Sequence, residues 1–180
     1  MKKQVIIAAV ALGAFVFGTN NVQAQAQATT EVNIILNDVI SFGSGSVANG
    51  GQVDFNYITA ADYNDGLGAV NVANSLIVTS TKNFDVKVKA EGANFTDGTN
   101  NIPVDVLTIN AAAGGSMAGT QNTIVLSETD QVLIGNAPLG SALSLDLDYE
   151  IPAAKSSSSD ILGKPAGTYT QNVTYTATAL

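Results

Sequence analysis

Asn83-Phe84-Asp85-Val86-Lys87-Val88-Lys89-Ala90-Glu91 alternates apolar and polar residues without a break. Phe84, Val86, Val88 and Ala90 fall on one side, and Asp85, Lys87, Lys89 and Glu91 on the other. A period of two is the signature of a strand with one dry and one wet face. The same reading extends outward in both directions. Leu143, Leu145, Leu147, Tyr149 and Ile151 are opposed by Ser144, Asp146, Asp148 and Glu150, and Val173, Tyr175, Ala177 and Ala179 by Thr174, Thr176 and Thr178. Further strands are expected over residues 32–40, 52–58, 69–81, 102–109, 123–126 and 131–134, about nine in all.

Between them stand turn clusters such as Asn49-Gly50-Gly51, Asn64-Asp65-Gly66 and Thr96-Asp97-Gly98. Helix has little support, because Ala111-Ala112-Ala113 runs straight into two glycines. Alternation favours antiparallel pairing, since parallel strands read as continuous apolar runs. The expected fold is therefore all-β: a two-sheet antiparallel sandwich, immunoglobulin-like or jelly-roll, occupying residues 29–180 as a single domain. The Ser156–Ser159 run reads as a flexible connection ahead of the final strand.

Composition narrows function. The chain has no His, Cys, Trp or Arg, and its seven basic residues are all Lys. The usual general base, thiolate nucleophile, soft metal ligands and bidentate anion clamp are all missing. The net charge is −8, and loss of Lys2 and Lys3 with a leader makes the remainder more acidic still. Nucleic-acid binding is excluded on this ground, because it rests on basic side chains neutralising phosphate.

The N-terminus specifies export. Met1-Lys2-Lys3 is a positive start, Val5 to Gly18 is apolar, and small residues at alternate positions follow through Ala24, Ala26 and Ala28. Residues 1–28 read as a secretory signal peptide, with an apolar run shorter than the roughly 20 residues a membrane span requires. The mature chain is expected to lack a membrane span and to be secreted, with no disulfide to support it.

Each cluster that could carry chemistry has a simpler reading. Asp146, Asp148 and Glu150 share one strand face, with neighbours about 7 Å apart; two carboxylates at such spacing suit a glycosidase, but no Trp platform accompanies them. Asp62-Tyr63-Asn64-Asp65-Gly66 resembles a calcium loop until the register is counted, for its Gly comes fifth, not sixth. It reads as a tight turn. Ser156–Ser159 with Lys155 or Lys164 lacks the rigid seat and desolvated amine that a Ser-Lys pair needs. Asn94-Phe95-Thr96 and Asn172-Val173-Thr174 match the glycosylation acceptor pattern. No catalytic, cofactor-binding or metal-ligating residue is assigned, and the chain is expected not to be an enzyme.

The stretch Lys164-Pro165-Ala166-Gly167-Thr168-Tyr169, continuing through Gln171 and Val173 to Thr176, resembles the last hairpin of bacterial pilin-type β-sandwich modules. Spore-coat-U-like and chaperone–usher subunits share this Pro-Ala-Gly-x-Tyr turn and final Thr/Val strand. Ile40-Ser41-Phe42-Gly43 resembles another step of those modules, and residues 84–100 a middle hairpin found there and in WxL surface modules. Three features depart from the pattern. There is no Cys, the chain ends Ala179-Leu180 where chaperone–usher pilins place a Tyr next to last, and Trp-x-Leu is missing.

The resemblance implies a surface-filament subunit that associates with itself or other filament subunits, with a periplasmic chaperone as a partner in transit. Glu31 to Leu36 places Val32, Ile34 and Leu36 on one face. This segment suits either of two roles, the first strand of its own sandwich or a strand donated to a neighbour by β-augmentation. Tyr169, Val173 and Tyr175 mark the C-terminal strand. The alternative function is a carbohydrate- or host-surface-binding module using Tyr57, Tyr63 and Tyr149.

Overall fold

The computed structural model describes residues 26–180. Most of the expected signal peptide, including Lys2 and Lys3, lies outside the described residues. The chain divides into two units, residues 1–35 and 36–180. Within the first, residues 26–35 have no regular secondary structure and are exposed.

Residues 36–180 form an all-β, antiparallel two-sheet sandwich. One sheet has the order β1-β2-β10-β6-β8, built from β1 (Ile40–Phe42), β2 (Leu67–Ser80), β6 (Thr108–Ala111), β8 (Ile124–Val125) and β10 (Gly140–Ile151). The other has the order β11-β3-β9-β7, from β3 (Phe84–Ala90), β7 (Thr120–Gln121), β9 (Gln131–Ala137) and β11 (Val173–Ala179). A small hairpin of β4 (Asn94–Thr96) and β5 (Asn101–Pro103) stands apart and is tied to the chain ahead of β11 by a Thr96–Thr170 bridge. Two short helices complete it, α1 (Ala60–Asp65) and α2 (Ala153–Ser156). Among the described residues no helix is long and apolar enough to cross a membrane.

The core lies where the alternation puts it. Phe84, Val86 and Val88 of β3 are completely buried and meet Leu76, Val78, Ile109, Leu145 and Leu147 from the facing sheet. Each such side chain contributes about 1.5–3 kcal/mol by leaving water.

Three of the five register breaks against β10 and β3 share one device. Among the described residues, the three non-glycine residues with positive φ, Asn74, Asn136 and Ala142, all sit where β2, β9 and β10 slip register against a neighbour. In each case a side-chain oxygen on the adjoining strand catches the displaced N–H. Asp146 Oδ1 accepts from Asn74 at 2.7 Å, Asp85 Oδ1 from Asn136 at 2.8 Å, and Thr79 Oγ1 from Ala142 at 2.9 Å. The left-handed backbone is thereby compensated by a hydrogen bond that a flat ladder would not supply.

Four expectations are corrected. Residues 32–39 form no strand, and only Ile40 of that stretch enters β1. Residues 52–58 keep their alternation, with Val53, Phe55 and Tyr57 half-buried against the core, yet join no sheet. Asp62 to Asp65 is helical: Thr59 and Asp62 form a capping box, each side chain accepting from the other's backbone N–H, and Gly66 ends the helix at φ 76°. Finally, the serine run is ordered. Ser156 closes α2, is completely buried, and shares a 2.7 Å hydrogen bond with the Tyr57 hydroxyl.

Candidate functional site

A sheet ends in edge strands whose outer N–H and C=O groups are unpaired, so edges decide what a sandwich can bind by strand addition. Here β1, β8 and β7 are three, two and two residues long, too short to template a partner strand. The fourth edge, β11, is seven residues long. It pairs with β3 from Val173–Ala90 to Ala179–Phe84 with no register shift. No charged residue occurs after Lys164, and β11 contains no proline. Among the described residues, the devices by which proteins usually blunt an edge, short length, lysine, proline and bulges, are all absent from β11, whereas Leu67–Ala73 of β2, which also lacks a second partner strand, is bulged against β10.

The side of β11 that is free follows from two hydrogen bonds. Leu180 N–H donates to Asn83 O, and Asn172 O accepts from Glu91 N–H. Successive residues in an antiparallel ladder point their backbone groups in opposite directions, so the even-numbered residues serve β3. Val173, Tyr175, Ala177 and Ala179 therefore turn N–H and C=O to the open edge. The side chains of Val173, Tyr175 and Ala177 pack inward against the core.

Across the seam from this edge lie β1 and the irregular chain that follows it along β2. A recess of about 300 Å³ opens there, with Val173, Thr174 and Tyr175 on one side and Phe42, Ser46 and Leu76 on the other. A smaller one, about 110 Å³, lies between Ile40 and Ala179 nearer the chain end. The apolar walls explain themselves: Leu76 is 2% exposed and belongs to the core, whereas Phe42 is 39% exposed at the rim.

The floor is fixed by hydroxyls. Tyr175 Oη lies 2.7 Å from Tyr149 Oη, which lies 3.3 Å from Ser75 Oγ. Burial, reinforced by the Tyr149 hydroxyl beside it, pushes the Tyr175 hydroxyl well above its ordinary range, so it stays protonated. At the start of β11, Glu91 accepts from Asn172 Nδ2 at 2.9 Å and Thr174 Oγ1 at 3.1 Å, which lowers its pKa.

No family model matches this chain, and no curated protein does. The site must therefore be read from its own geometry.

The sequence-derived candidates fall into place unevenly. Val173 and Tyr175 lie on β11 and line the recess. Tyr169 does not belong to the strand. Its hydroxyl donates to Pro165 O at 2.9 Å and closes the Pro-Ala-Gly-Thr-Tyr turn that leads into β11. Val32 and Ile34 are 79% and 83% exposed, and Leu36, which begins the second unit, 87%. The reading in which Glu31–Leu36 is the first strand of its own sandwich is not what the structure has.

The remaining clusters have structural occupations. Asp146 supports the β2 bulge and Asp148 Oδ1 accepts from Asn71 Nδ2 at 2.8 Å. Lys155 Nζ lies 3.0 Å from Asp105 and 3.5 Å from Asp160, and the Asp105 carboxylate beside it raises its pKa, the opposite of what a general base requires. Of the three tyrosines considered for sugar binding, Tyr149 is 6% exposed, while Tyr57 packs on Tyr63 with ring centroids 4.8 Å apart and planes tilted by 39°, and is tied to Ser156. Among the described residues no group of three or more acidic side chains is placed to hold a metal ion.

Sequence reasoning missed the asymmetry of the edges. Its signal was present in the uncharged stretch after Lys164.

Proposed function

We propose that this chain is a non-enzymatic, secreted structural subunit of a cell-surface filament, assembled by β-strand addition at β11. The observation that carries the reading is that, among the described residues, β11 is the one outermost strand of the two large sheets that is long, regular, uncharged and unpaired on its outer side, and that it borders a recess of mixed apolar and polar lining. A protein under pressure to stay monomeric blunts such an edge.

The occupant follows from the same chain. Glu31–Leu36 exposes four apolar side chains, of which Val32, Ile34 and Leu36 stand on alternate positions, the pattern that delivers side chains to pockets while the backbone forms a ladder. Donated by one subunit to the next, it makes a heterologous, head-to-tail contact. Such a contact propagates into a filament when the rotation does not close. The signal peptide and the pilin-like turn agree with a chain that crosses a periplasm, where a chaperone would cover the edge, and ends on the surface.

Two measurements test this together: the size distribution of the purified mature protein over a concentration series, and electron microscopy of cells with and without the gene. The expected outcome is concentration-dependent oligomers and surface fibres that vanish with the gene. A protein that remains monomeric at high concentration, with an unchanged cell surface, overturns the proposal.

A further inference from the structure

We propose that the two ends of the sandwich form a second contact between copies, in which exposed apolar side chains at the end where β11 finishes dock on those at the end where the next copy's β11 begins. This contact presupposes strand addition at β11 and supplies a further surface by which the same two copies join.

The strands define the ends. β2 stops at Ser80 and β3 starts at Phe84, while β9 stops at Ala137 and β10 starts at Gly140, so both short connections cross between the sheets where β11 finishes at Ala179. At the other end β2 starts at Leu67, β10 stops at Ile151 and β11 starts at Val173, opposite Ala90. The helices α1 and α2 cap this second end, where Gly66 packs so closely that an added Cβ would stand 3.0 Å from Ala153 Cα.

Among the described residues from Val39 onward, eight large apolar side chains are exposed, and five of them gather at the ends, each at least half exposed. Val39, Leu139 and Leu180 belong to the first end. Val39 is hydrogen-bonded to Thr81, and the Leu139 and Leu180 N–H groups donate to the side chain and the backbone carbonyl of one residue, Asn83. Ile58 and Leu162 belong to the second, the former preceding the Thr59 cap of α1 and the latter bonded to Ser158 O just beyond α2. Exposed apolar residues scattered singly need no account, whereas clusters of them mark contact surfaces.

The length of the tether names the partner. The donor segment ends at Leu36, and Val39 is already paired with Thr81. Three residues span at most about 11 Å. Whichever strand Leu36 joins must lie within that reach of the first end, so the two copies touch there. A stable contact of about 800 Å² on each partner extends about 16 Å from its centre. Leu139 and Leu180, bonded to Asn83 two residues beyond Thr81, fall inside it.

Direction selects the opposing face. Leu36 at the Val173 end of the next β11 sets the first end of one copy on the second end of the next, and that contact repeats without closing. Leu36 at the Ala179 end would bring two like ends together, a reciprocal contact that stops at two copies. Filament growth therefore sets Val39, Leu139 and Leu180 against Ile58 and Leu162.

The test uses the mature protein, with Leu139→Asp and Leu180→Asp combined to alter the first end, and Ile58→Asp and Leu162→Asp combined to alter the second. Sedimentation velocity reads association, fluorescence polarisation of a synthetic peptide of residues 30–37 reads strand addition, and thermal melting confirms that these exposed substitutions leave the fold intact. Each double variant should associate about tenfold or more weakly than the wild type, because it removes buried apolar contacts, while binding the peptide as tightly. Mixed at concentrations where each alone is monomeric, the two variants share one intact joint and should form 1:1 dimers and nothing longer. Peptide binding with undiminished association of both variants overturns the inference alone, as does a mixture that stays monomeric where the wild type associates. A wild-type protein that does not bind the peptide overturns strand addition, and the inference with it.

Discussion

Replacing Ile34 by Asp separates the two roles open to the N-terminal segment. In the isolated chain Ile34 is 83% exposed. An exposed substitution of this kind changes stability within about 0.5 kcal/mol, a shift of about 1–2 °C in Tm for a domain of this size. In an assembled neighbour the same side chain would pack on the apolar walls of the recess, Phe42, Leu76 and Tyr175. Burying Ile contributes about 2 kcal/mol, and a carboxylate in its place adds about 1–3 kcal/mol of unmatched desolvation. The sum, about 3–5 kcal/mol, weakens association by about two to four orders of magnitude. Sedimentation velocity across a concentration series reads the association, and a thermal melt on the same samples reads the fold. Ile34→Asp should abolish oligomers at concentrations where the wild type forms them, with Tm unmoved. A Tm several degrees lower would mean that Ile34 packs within its own subunit, and unchanged association would mean that the segment is no donor; either refutes the reasoning.

Three further outcomes follow from the same geometry. Ala177→Pro removes an N–H that faces the open edge and should suppress association with little effect on melting, whereas Thr176→Pro removes one bonded to β3 and should lower Tm more. Phe84→Ala, at a site with no exposure, should cost about 3–5 kcal/mol in urea unfolding. Asp62 has a lowered pKa because the backbone N–H groups of Thr59 and Ile58 donate to its carboxylate. A lowered carboxylate pKa stabilises above the unfolded value, near 3.9, and the contribution fades as pH falls below it. Exchange of the Ile58 and Thr59 amides should accelerate in that window, and Asp62→Asn should remove the pH dependence.

Strands whose alternation is enforced by burial were legible in the residues. Phe84 to Ala90 and Leu143 to Ile151 each present an unbroken apolar side, and both became central strands because a one-residue slip would bury charge. Val32 to Leu36 and Val53 to Tyr57 show the same period without the same outcome. Periodicity reports which side chains share a face; whether the backbone finds a partner depends on neighbours that no local pattern names. Helix α1 was readable in principle, since Thr59-x-x-Asp62 is a capping box and Gly66 a stop, but Asp-rich turn chemistry gives the same letters. Burial of Ser156 was not readable, because its partner, Tyr57, lies a whole domain away in sequence. Of the candidate site, Val173 and Tyr175 came from the alternation of the last strand. The significance of that strand emerged only when the other three edges proved too short to compete.

The central claim is that β11 receives a strand, and amide exchange resolved to single residues in monomeric and assembled protein tests it most directly. In the monomer Thr174, Thr176 and Thr178 should be protected by β3 while Val173, Tyr175, Ala177 and Ala179 exchange freely. Assembly should protect the second set and leave the first as it was. If the odd-numbered amides exchange equally fast in both states, the edge is not where subunits join.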